Sequence, residues 1–102
     1  MKLVYVTGNS NKGASLEEVE SWVLENGDVP ICPYNSSLLT EIYDNKAFTN
    51  ACLTILERCD FVILAPGWEC SEVVEEEIKF AQACNIPIYV FEEDGELAIL
   101  EE

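Results

Sequence analysis

Few side chains in this sequence can carry chemistry. There is no histidine, which removes imidazole as base, nucleophile or metal ligand. The five cysteines, Cys32, Cys52, Cys59, Cys70 and Cys84, are an odd number without a CxxC pair. That spacing fits neither a zinc site nor a disulfide framework. It reads as buried, reduced thiols in a cytosolic chain, Cys70 in its loop being the exception, and no metal site is expected.

Carboxylates remain, and one is set apart by position. On the third helical stretch the inward stripe reads Val73, Val74, Ile78, Ala81 and Cys84. Glu77 falls four after Val73 and four before Ala81, within that stripe and away from Glu75, Glu76, Lys79 and Gln82. A carboxylate among apolar residues is costly unless it is paired or faces a cavity. The competing reading makes it the edge of a solvated acidic face, and periodicity alone does not separate the two. Two polar loops complete the candidates. Residues 8–13 (Gly-Asn-Ser-Asn-Lys-Gly) and 66–71 (Pro-Gly-Trp-Glu-Cys-Ser) combine glycine with small hydroxyls, as close approach to a polar ligand requires. Trp68 either stacks on a planar ligand or lids the core. Ser71 reads as a helix cap, at an N-terminus that also suits an anion.

These loops are positioned by alternating elements. Residues 2–7 form a β-branched stretch closed by Gly8, and read as a strand. Ser15 and Glu18 fit a capping box opening a helix with Leu16, Val19, Trp22 and Val23 inward, stopped by Gly27. Residues 29–32 make a short second strand, placed near an edge by Pro30. A longer helix spans about 41–58, with Phe48, Ala51, Cys52, Ile55 and Leu56 on one side. Residues 61–65 are wholly apolar, the mark of a strand covered on both faces. A helix over 72–84 and a strand over 86–91 follow, and residues 97–100 are either a last strand or an interface segment. This βα alternation gives a parallel sheet of four or five strands with helices on both faces. The order is 2-1-3-4, with a fifth strand outside if the tail pairs. The chain then reverses between strands 1 and 3, whose carboxyl ends carry the two polar loops. Asp60 falls at the opposite end, in a helix-end or turn role.

Length and charge set the outer limits. At 102 residues the chain is one domain, residues 1–102. Twenty acidic residues against five basic give a formal charge of −15. Such a surface repels nucleic acids and anionic membranes. The longest apolar stretch, residues 61–67, is far short of the ~18 needed to span a bilayer. The N-terminal MKLVYVTG lacks a long apolar core and cleavage site, so no signal peptide is read and a cytoplasmic location is expected.

The segment Pro66-Gly67-Trp68-Glu69-x-Ser71 followed by Glu77, with Tyr5-x-Thr7-Gly8 and Cys59-Asp60, resembles the nucleoside 2-deoxyribosyltransferase-like group. More narrowly it is similar to small phage and bacterial members with a PGWExSxGAxxE pattern. The resemblance spans about residues 2–91. It implies a flavodoxin-like, three-layer Rossmann-type fold binding a nucleoside or nucleotide without a cofactor, in a bacterial or phage-infected cell. It also implies that Glu77 is the nucleophile attacking the anomeric carbon. Thr7, Gly8, Asn9, Ser10, Lys12, Gly67, Trp68, Glu69 and Ser71 would bind the ligand, Ser71 and the loop amides holding a sugar hydroxyl or phosphate and Trp68 lining the pocket. Family members complete each pocket from a neighbouring subunit, which implies a homodimer or larger.

Two departures bear on activity. Val73-Val74 stands where the pattern has Gly-Ala, and a β-branched side chain narrows the approach to the helix start. Gly8-Asn9 stands where Gly-Pro is usual. The leading expectation is an N-glycosidase or deoxyribosyltransferase. Its alternative is a non-catalytic pocket that sequesters a nucleotide-derived small molecule, and an acidic DNA mimic is a third class. The apolar residues Leu97, Ala98, Ile99 and Leu100 near the terminus add a hint of assembly, with Phe48, Leu53 and Leu56 of the second helix as the expected dimer surface.

Overall fold

The computed structural model describes residues 1–8, 13–32, 45–70, 72–92 and 96–100. Strand β1 (Leu3–Thr7) leads to helix α1 (Gly13–Glu25) and strand β2 (Val29–Ile31). Helix α2 (Asn45–Glu57), strand β3 (Phe61–Leu64), a 3-10 turn (Trp68–Cys70) and helix α3 (Glu72–Ala83) follow. Strands β4 (Ile88–Phe91) and β5 (Leu97–Ile99) close the chain. The strands form one sheet in the order β2-β1-β3-β4-β5. The first four run parallel and β5 pairs antiparallel with β4, Tyr89 opposite Ile99 and Phe91 opposite Leu97. The expected three-layer α/β fold and strand order are the ones found, and the tail is a strand.

The physical reasons are local. Val29 N–H donates to Lys2 O, so the next residue, Pro30, turns its missing donor to the open edge, where nothing is lost. Helix α1 ends in a Schellman motif: Asp28 N–H donates to Val23 O at 3.1 Å and Gly27 N–H to Leu24 O at 3.0 Å, with Gly27 at φ 84°. Helix α3 repeats it with Asn85 at φ 59°, as Ile86 N–H donates to Ala81 O at 2.8 Å. At the far end of the sheet the Asp60 carboxylate accepts from Leu3 N–H at 2.8 Å, tying the start of β3 to β1 across 57 positions rather than acting within a turn.

Alternation along the strands divides the core into two. Val4, Val6, Ile63 and Ala65 face α1, which adds Leu16, Val19 and Val23. Tyr5, Val62 and Leu64 face α2 and α3, meeting Cys52, Leu56, Val74, Ile78 and Ala81. Trp22 joins the first cluster edge-on to Phe91, with centroids 5.9 Å apart, as its place on the helix stripe predicts.

Several expectations are corrected. Helix α1 starts at Gly13, so Ser15 lies inside it and is not the N-cap; Ala14, a strong helix former, extends the helix backward. Residues 68–70 form a 3-10 turn where a loop was read. Cys84 is exposed, because α3 ends before it. Leu56 is fully buried in its own chain's core, so it offers nothing to a partner. Leu97 and Leu100 likewise pack against the two core clusters, leaving Ile99 as the tail's exposed residue, at 71%. Asn9, Ser10, Lys12 and Ser71, residues 41–44, and the side chains of Phe48, Cys70 and Val73 lie outside the described residues.

Gly8 has a packing reason to be glycine. A Cβ there would stand 2.9 Å from the Ala65 Cβ and 3.3 Å from Leu16 Cδ2. Ala65, just past the end of β3, is tied to β1 by its N–H donating to Thr7 O at 2.8 Å, so it cannot yield cheaply. Gly8→Ala is expected to lower stability by about 1–3 kcal/mol, the usual range for overpacking a core. Urea unfolding would show a lower midpoint at unchanged slope; an unchanged midpoint would mean that the strand ends separate freely.

Candidate functional site

Strand β1 ends at Thr7, beside the end of β3, where the chain order reverses from β1 to β3. Tyr5 and Thr7 are two apart and so share the face of the sheet that α2 and α3 cover. Helix α3 starts just past the carboxyl end of β3 and presents Val74, Glu77, Ile78 and Ala81 inward, at helical spacing. Glu75, Glu76, Lys79 and Gln82 are exposed. Glu77 therefore belongs to the buried stripe, and the solvated-face reading is excluded: only 1% of its surface is exposed.

The carboxylate is held by hydroxyls. Thr7 Oγ1 donates to Glu77 Oε1 at 2.6 Å, and the Tyr5 phenol donates to Glu77 Oε2. Among the described residues, Thr7 and Glu77 are the buried polar or charged side chains, and none has a buried polar atom left unbonded. Burial disfavours a charged carboxylate, while two hydroxyl donors stabilise it; they are what makes this position tolerable. Cys52 on α2 shares the cluster. Burial pushes its thiol up to about 11, with a side-chain hydrogen bond to Tyr5 pulling the other way and the charge of Glu77 adding to the rise. On the outer end of α2, burial and then the charge of Asp60 push the Cys59 thiol to about 11 as well.

The second loop builds a separate feature. Gly67 sits at φ 92°, a conformation that favours glycine, and turns the chain from β3 into the 3-10 turn. Residues 66–69 and 90–92 line an open cleft of roughly 490 Å³. Trp68 packs against the α2/α3 core cluster and also lines this cleft. Glu69 lines it from an exposed position. Glu77 is not part of its wall. The described residues thus form two groups at the carboxyl end of the sheet: Thr7 with Glu77, and Gly67 with Trp68 and Glu69. Tyr5 and Cys52 were absent from the expected site residues. The signal for Tyr5 was present, since strand alternation puts it on the same face as Thr7; the packing of Cys52 into the same cluster joins distant segments and left no trace in sequence spacing.

A doubly wound α/β domain with a buried, hydroxyl-held carboxylate at its switch point is the class defined by this geometry. The chain belongs to the family described as "Domain of unknown function (DUF4406)", whose model matches residues 4–90. Among solved structures it is similar to a 2-desoxiribosyltransferase from Leishmania mexicana, with a TM-score of 0.66 and 18% sequence identity. The similarity covers 89% of this chain and 64% of that one, so this chain spans less than two thirds of that enzyme. At that identity the likeness is one of fold. No curated protein matches in sequence. Among the described residues no helix is long and apolar enough to cross a membrane.

Proposed function

We propose that this protein is a nucleoside or nucleotide N-glycosidase or deoxyribosyltransferase with Glu77 as nucleophile. The observation that carries the reading is the buried carboxylate itself, held by Thr7 and Tyr5 at the switch point, where doubly wound domains bind ligands. The fold likeness to a deoxyribosyltransferase and the PGWE-x-S segment of the small phage and bacterial members support it. In the reaction a Glu77 oxygen forms a bond to the anomeric carbon as the carbon–nitrogen glycosidic bond breaks. The bonding pair leaves on the base, which takes a proton from water. Water, or a second base, then displaces the carboxylate and releases the sugar or a new nucleoside. Among the ligand-binding residues of this reading are Thr7, Gly67, Trp68, Glu69 and Ser71.

One observation favours a second reading, a pocket that sequesters a nucleotide-derived molecule without cleaving it. Glu77 is 1% exposed and each oxygen accepts a hydroxyl, so it is satisfied without a ligand. A panel of deoxynucleosides, ribonucleosides and their monophosphates, assayed for free base by chromatography and for binding by calorimetry, separates the two. Base release supports the enzyme; heat without release supports sequestration; neither rejects both.

The proposed assembly is a homodimer. With Leu56 in its own core, the exposed apolar residues available to a partner include Leu24 at 62% and Ile99 at 71%. Two chains of charge −15 repel, so association is expected to strengthen with salt, which screens exposed charges. Sedimentation at low and high ionic strength checks this. A monomer under both conditions at tens of micromolar, roughly the range of weak dimers, would reject it.

A further inference from the structure

The cleft between the turn after β3 and the end of β4 has a charged lining that the proposed chemistry leaves unused. It holds roughly 490 Å³, within the range of small-ligand pockets, at the carboxyl ends of two neighbouring parallel strands. Trp68 borders it, half-buried and packed against the core cluster, so its ring is held in place. Glu69 follows on the 3-10 turn and Glu92 follows β4, both exposed and both in the wall. Among the described residues no lysine or arginine lines the cleft. An aromatic ring beside two carboxylates attracts a planar cation, through the negative face of the ring and through charge. The same walls repel phosphate, and the formal charge of −15 adds to this.

We propose that this cleft binds a nucleoside whose base carries a positive charge, of the N-alkylated purine class, in preference to neutral nucleosides and to nucleotides. As a substrate this rests on Glu77 being the nucleophile; as a binding preference it rests on the cleft alone. The chemistry agrees with the charge. The sequence has no histidine, and the hydroxyls of Tyr5 and Thr7 donate to Glu77. The described groups around the carboxylate therefore hold no ready acid for a departing base. A neutral nucleoside expels an anion that must be protonated, whereas an N-alkylated base leaves with the bonding pair as a neutral molecule. A Glu77 oxygen bonds to the anomeric carbon as the carbon–nitrogen bond breaks, the two opposite charges cancel in ester and free base, and no proton moves. Water then hydrolyses the ester, giving the sugar, the carboxylate and a proton to solvent. Cation–π attraction and two exposed ion pairs together favour the cation over its neutral analogue by about tenfold in affinity.

Calorimetry with 7-methylguanosine, guanosine and guanosine 5′-monophosphate tests it, at low salt and mildly acidic pH, where the methylated ring keeps its N1 proton and is cationic. 7-Methylguanosine is expected to bind about tenfold tighter than guanosine, with the monophosphate weakest of the three. Added salt should shrink the gap, since both carboxylates are exposed. Glu69→Gln/Glu92→Gln, two surface changes that leave the core intact, should reduce it to about twofold, the share left to Trp68. Guanosine binding as tightly as its methylated form overturns the inference. So does a lack of binding by 7-methylguanosine, or a gap that the double variant leaves unchanged. Free 7-methylguanine, measured against buffer alone, judges the role of Glu77 separately. Preferential binding of the cation without base release keeps this inference and goes against Glu77 as nucleophile; base release with no preference for the cation does the reverse.

Discussion

Glu77→Gln is expected to abolish release of base from any substrate that the wild type cleaves, by a factor on the order of 10³ or more, as removing a nucleophile does. Glutamine keeps the shape of the side chain, and its amide oxygen still accepts one hydroxyl. It lacks the negative charge that attacks the anomeric carbon, so no ester intermediate forms. Ligand affinity should survive, because the ligand-binding residues named above lie largely on other segments. The amide also brings two N–H donors to a pocket where Thr7 and Tyr5 already donate. One of them must rotate, which predicts a modest loss of stability beside the loss of turnover. Chromatographic detection of free base, with calorimetry on the same preparation, reads both. Cleavage that persists undiminished in the variant would exclude Glu77 as nucleophile, and equal binding without cleavage in both proteins would favour sequestration.

The protein is expected to lose stability steeply in alkali. Burial raises the Cys52 and Cys59 thiols from 9.0 to about 11, with the charges of Glu77 and Asp60 adding to it. Below 9 both thiols are protonated whether the chain is folded or not, and they contribute no pH dependence. Between 9 and about 11 the unfolded chain sheds these protons while the folded chain keeps them, so stability falls as pH rises, and it levels off above. Each thiol accounts for on the order of 2–3 kcal/mol over that window, together about 5 kcal/mol. Domains of this size hold roughly 5–15 kcal/mol in all, so the effect is enough to unfold a marginal one. Urea midpoints at pH 8 and pH 11 in the wild type and in a Cys52→Ala/Cys59→Ala variant isolate it from the other groups that titrate there. The variant starts weaker, because each change opens a small cavity, but it should lose far less between the two pH values. Parallel losses in both proteins would show that the thiols are not the cause.

How much of this was legible beforehand depends on whether a feature is local. The run Phe61-Val62-Ile63-Leu64-Ala65 announces a strand covered on both faces, and Pro30 announces an edge; βα alternation then leaves the order β2-β1-β3-β4 as the natural one. Gly27 stops its helix for a reason contained in the six residues 23–28. Glu77 could be flagged as well, since one helix turn shows that it interrupts an apolar stripe. Whether that stripe faced the core or the solvent edge was beyond periodicity, which gives a direction around the helix and says nothing of what lies opposite.

The sequence by itself determined the elements, their order in the sheet, and the presence of an acid at an apolar position. Tertiary structure alone decided that this acid is buried, that Thr7 and Tyr5 hold it, and that Cys52 packs into the same core cluster as Tyr5. It also decided that Gly8 is shaped by Ala65, that Leu56 turns inward, and that the tail pairs antiparallel with β4. The physical reason is separation along the chain. Propensity, capping and hydrophobic period act within a few residues, whereas Glu77 reaches hydroxyls 70 and 72 positions away. Contacts of that range exist only after the strands have registered and the helices have packed across them, and it is those contacts that turn a costly charge into a held one.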